Sequence, residues 1–96
     1  MPKFRTKIVE IEAVRFTAED VLNVNSFATD PDGTERFRYG FNKDAGVYEI
    51  WGEIFDVLHD TWIKVFEGQW IVRGAKGEFY PCDDETFMWK YEQVDA

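Results

Sequence analysis

Four places in this chain carry residue types that could do chemistry. Cys82 is the only thiol and His59 the only imidazole. A nucleophilic cysteine works as a thiolate and needs positive charge nearby. Cys82 is instead followed by Asp83 and Asp84, which oppose its ionisation, so a small buried or half-buried thiol is the expected role. His59 stands beside Asp60, which could orient it as a general base. No activated serine or cysteine shares a local motif with it, and a turn histidine is the simpler assignment. Asp30-Pro-Asp-Gly33 offers two carboxylates and a glycine, but the spacing is not that of a calcium loop and the proline stiffens what should wrap. Arg73-Gly-Ala-Lys-Gly77 joins glycines to two cations and could present backbone N–H groups to a phosphate. It lacks the longer glycine spacing and the hydroxyl residue of a nucleotide-binding loop, so hairpin geometry alone is the favoured reading, with small-ligand capture by Arg73, Lys76 and His59 as the alternative. Cys82, Asp83, Asp84 and Glu85 mix soft and hard ligands without a second cysteine or a neighbouring histidine, so no metal is expected, and no cofactor motif is present.

The elements that must position these residues are legible in part. Trp70–Arg73 and Glu78–Tyr80 are rich in aromatic and β-branched residues and read as strands, with Gly74 and Gly77 supplying positive φ between them. Glu67-Gly68 is a second turn signal leading from Trp62–Phe66, which gives three consecutive strands joined by two short turns. Pro81 cannot donate a ladder hydrogen bond and belongs at a strand end or on a sheet edge. Asp83 is placed to cap a short C-terminal helix in which Phe87 and Tyr91 meet at i, i+4.

Nearer the start, residues 1–7 are basic and expected to fray, with order beginning near Ile8. Val9, Ile11 and Ala13 alternate with glutamates, but the apolar phase shifts to Val14 and Phe16, as a bulge would require or a strand crossing between neighbours. Thr17 can cap the N–H of Asp20, Phe16 and Val21 can staple that cap, and the helix should run to about Ala28 with Val21, Val24, Phe27 and Ala28 inward. Asp30-Pro-Asp-Gly33 then turns the chain. Arg36–Phe41 alternates cleanly, with Phe37, Tyr39 and Phe41 opposite the two arginines; the loop 42–46 leads to Val47–Trp51. There Tyr48 and Ile50 share one face and Val47 and Trp51 the other, so either both faces are covered or Trp51 is exposed. Residues 53–60 fit a short helix about as well as a strand; length favours a strand turning at Asp60-Thr61. The expected fold class is α+β: one small domain over 1–96, with a mainly antiparallel twisted sheet, one helix in the N-terminal half and a short C-terminal helix.

Gly68-Gln-Trp-Ile-Val-Arg-Gly-Ala-Lys-Gly-Glu-Phe-Tyr-Pro-Cys82, followed by Phe87 and Tyr91, resembles the C-terminal signature of a family of small, mostly uncharacterised bacteriophage and prophage proteins. Leu58-His-Asp-Thr-Trp62 resembles the version found in phages of actinobacteria. Lys3-Phe-Arg-Thr-Lys-Ile-Val-Glu-Ile-Glu-Ala-Val14 resembles the family's basic start and first strand. Gln69 departs from the pattern, which more often has Asp there. The resemblance implies a phage origin and supplies no established activity.

Composition narrows the function classes. Eleven basic against nineteen acidic residues give a net charge of −8, which disfavours attachment to nucleic acid or to anionic membranes. Residues 1–16 carry Lys3, Arg5, Lys7 and Arg15 against Glu10 and Glu12, so the negative charge is concentrated in the body of the chain. One cysteine allows no internal disulfide, no apolar run approaches the roughly 20 residues of a spanning helix, and no secretory h-region follows the start. The expected location is the cytoplasm of an infected host. Nine Phe, four Trp and four Tyr exceed what a small core obviously needs. The favoured reading is therefore a non-enzymatic protein that binds a host or phage protein, with Trp51 and Trp62 as aromatic anchors or Asp83, Asp84 and Glu85 as acidic contacts. A nucleotide-binding protein or hydrolase and a minor virion component are the alternatives. The oligomeric state is left open.

Overall fold

The structure, a computed structural model, describes residues 1–5, 8–44 and 46–94. Among the described residues six strands and two helices follow in order: β1 (Glu12–Arg15), α1 (Val21–Phe27, led in by a 3-10 turn at Ala18–Asp20), β2 (Phe37–Asp44), β3 (Val47–Asp56), β4 (Thr61–Val65), β5 (Trp70–Arg73), β6 (Phe79–Cys82) and α2 (Asp84–Lys90). They form two antiparallel three-stranded sheets, ordered β1-β5-β6 and β2-β3-β4, in a small single α+β domain. Phe16, Val24, Ala28, Phe37, Ile54, Val65, Ile71 and Phe79 are buried together as one core, drawn from both sheets and α1.

Glu67-Gly68 does not make the expected hairpin. β4 stays with β3, and the turn carries the chain across to the other sheet, where Gly68, at φ +95°, donates to the Phe16 carbonyl at 2.7 Å. The Gln69 carbonyl accepts from the Phe16 N–H at 2.8 Å, so this turn prolongs the β1–β5 ladder. The Gln69 side chain accepts from the Phe66 N–H and donates to the Asp83 carboxylate, a pair of roles that needs an amide. Between β5 and β6 the hairpin is as expected, but only Gly77 takes positive φ, at +82°; Gly74 does not. Pro81 lies within β6, an edge strand, and the strand continues through Cys82.

The apolar phase shift near Val14 is not a bulge. Glu12 to Arg15 pair one-to-one with Arg73 to Trp70, and the strand is covered on both faces: Val14 packs on the core, while Ala13 lies on the side of Trp70 and α2. Pairing begins at Glu12 and not near Ile8, because β5 ends at Arg73. Residues 1–5 carry no regular structure; Thr6 and Lys7, also in the predicted frayed start, lie outside the described residues.

The first helix has its predicted inward residues, Val24 and Ala28 fully buried and Val21 and Phe27 against the core, and ends one residue early. Its Thr17 hydroxyl makes no cap. The Asp20 N–H bonds the Thr17 carbonyl, and the Ala18 N–H is taken by the Glu67 carboxylate at 2.9 Å. Asp83 likewise stands at the N-cap of α2 without capping it, because its carboxylate is turned to Gln69. Val94, beyond the end of α2, is 58% exposed.

β2 runs through Asn42, Lys43 and Asp44, where a loop was expected; Ala45 and the side chain of Val47 lie outside the described residues. β3 passes through Gly52 without a break, joining two runs that look separate in sequence. A Cβ on Gly52 would sit 2.8 Å from the Phe16 ring and 3.0 Å from Phe37, so this glycine admits a core ring to the strand backbone. The ambiguous stretch 53–60 is strand to Asp56 and then a turn over 57–60, with Asp60 at φ +53°. At Asp30-Pro-Asp-Gly33 the chain turns as predicted, with Gly33 N–H donating to the Asp30 carbonyl at 2.8 Å.

Gly77→Val is expected to destabilise the fold by about 1 kcal/mol or more, because a β-branched residue resists positive φ. Nothing lies within 4 Å of a Cβ built there, so the loss would be backbone strain alone. An unchanged urea midpoint with an unchanged slope would contradict it.

Candidate functional site

The second sheet has one face on the core and one face that no helix covers among the described residues. Cross-strand partners share a face, so the register Gly40↔Trp51, Arg38↔Glu53, Glu53↔Lys64 and Phe55↔Trp62 puts all of these side chains outward together. Phe55 and Trp62 meet edge to face with ring centroids 5.3 Å apart. The Arg38 guanidinium lies 4.0 Å over Trp62 and Arg36 lies 5.3 Å over Phe55, both in cation–π range. Each arginine is also held by a carboxylate: Arg38 donates to Glu53 at 3.0 Å and Arg36 to Asp30 at 2.8 Å.

Trp51 has its own seat. A Cβ on Gly40 would fall 2.7 Å from the indole, so the absence of a side chain at Gly40 lets the ring lie against β2. Beside it is a shallow depression of about 390 Å³ lined by Asn42, Trp51, Gly52, Glu53 and Lys64. The face thus presents half-buried aromatic rings with arginines already oriented among them. It has the composition of a recognition surface.

Two of the three acidic candidates, Asp83 and Asp84, are bonded to other side chains of the protein. Asp84 accepts the Trp70 indole N–H at 2.9 Å and lies 3.6 Å from Arg15, while Asp83 accepts from Gln69. These bonds hold α2 against the first sheet, where Phe87 stacks on Trp70 at 4.1 Å and Tyr91 lies 5.0 Å from Phe87. Glu85 stays exposed in the first turn of α2. The Tyr80 hydroxyl bonds that of Tyr91 at 3.1 Å, and burial together with this bond raises the Tyr80 pKa.

Arg73, Lys76 and His59 are not brought together. Arg73 donates to the Phe27 carbonyl at 2.6 Å and to Glu12 at 3.3 Å, with its guanidinium over the rings of Phe27 and Phe79. Lys76 lies in the β5–β6 turn, where the Glu78 carboxylate takes its backbone N–H. His59 lies in the β3–β4 turn of the other sheet. Asp56, and not Asp60, orients it: Nδ1 is 2.6 Å from Asp56 Oδ2. Asp56 also accepts the N–H groups of Leu58 and His59, so the carboxylate closes the turn. The Cys82 thiol is half-buried and its pKa is raised, first by burial and then by Asp83. No cluster of three metal-binding side chains occurs among the described residues, and no helix among them is long and apolar enough to cross a membrane.

Sequence reasoning missed Phe55, Arg38 and Trp89. The first two join the surface only through a cross-strand register. Trp89 is 86% exposed, and a helical wheel that turns Phe87 and Tyr91 inward already places it outside. Compared with protein-family models, with curated proteins and with solved structures, the chain matches none.

The hydrogen bond from His59, its largest cause, lowers the Asp56 pKa from 3.8. The stabilisation is therefore complete above that ordinary value and is lost as pH falls through the lower folded-state value. In urea unfolding, the stability gap between the protein and Asp56→Asn should hold near pH 5 and shrink towards pH 2. A gap independent of pH across that range would show that the carboxylate does not stabilise the turn.

Proposed function

We propose that this is a small non-enzymatic interaction protein that binds a partner protein through the uncovered face of its second sheet. The observation that carries the proposal is the set Trp51, Phe55 and Trp62 with Arg36 and Arg38 on that one face. Tryptophan and arginine are the residue types that most often dominate protein–protein binding energy, and rings held half-buried lose little freedom on binding. The arginines are already fixed over the rings by Asp30 and Glu53, so the surface is organised before a partner arrives. The sequence resemblance extends the proposal to a phage-encoded protein acting in the cytoplasm of the infected host on a host or phage protein. With Asp83 and Asp84 bonded internally, aromatic anchoring is favoured over imitation of a nucleic-acid backbone by acidic residues.

Tagged protein purified from infected cells is expected to bring down a specific partner that survives about 200 mM salt, beyond the reach of long-range attraction. Trp51→Ala or Trp62→Ala, each with folding verified by denaturation, should weaken that complex by about tenfold or more. Retention by both variants, combined with loss at high salt or on neutralising Asp83, Asp84 and Glu85, would replace aromatic anchoring with charge mimicry.

A further inference from the structure

We draw no further inference here: the strongest candidate, the apolar cleft of about 880 Å³ between residues 8–13 and α2 beside the open edge of β1, is an unpartnered surface, and nothing in the structure shows what covers it.

Discussion

Phe16 belongs to one sheet by its backbone and to the other by its ring. Its N–H and C=O are bonded to Gln69 and Gly68, extending the β1–β5 ladder by one step. Its side chain, fully buried, lies on the bare backbone of Gly52 in β3 and meets Phe37 edge-on with centroids 5.3 Å apart. Truncating such a ring generally costs about 3–5 kcal/mol, a large part of the roughly 5–15 kcal/mol that holds a small domain folded. Gly68 supplies the turn that brings the chain back to Phe16, and Gly52 supplies the space that receives it. The alignment of the two sheets depends on both.

This arrangement decides which surfaces remain for binding. The first sheet is covered on both sides, by the core and by α2, and its polar ties are consumed in holding those layers. Arg73 binds Phe27 and Glu12, Gln69 reaches Asp83, and Trp70 bonds Asp84. The second sheet receives core on one side only. Its outer face keeps its aromatic rings half in solvent, with arginines as their partial cover. Residues that look functional in sequence have thus become architecture in the first sheet, while residues that look like core material have become surface in the second.

Local pattern determined much of this protein from the sequence alone. Thr17–Ala28 announced a helix with the right inward residues, Arg36–Phe41 its two faces, Asp30-Pro-Asp-Gly33 a turn, and Gly77 a positive φ; each depends on neighbours within a few residues. Tertiary structure decided which strands pair, because that depends on contacts far apart in the chain. Nothing near Glu67-Gly68 says that the next strand changes sheets; the partner that draws it across is Phe16. Nothing near Gly52 says that the strand continues, because the reason is a ring arriving from that same distant residue. Ile8–Ile11 has the composition of a strand, yet pairing stops where β5 turns away. The outward face followed the same rule: Trp51 and Trp62 were visible as aromatic residues, but only the register of three strands set Arg38 over Trp62 and Gly40 beneath Trp51. Propensity is local and can be read along the chain, whereas register and burial are non-local and exist only once the sheets have closed on their core.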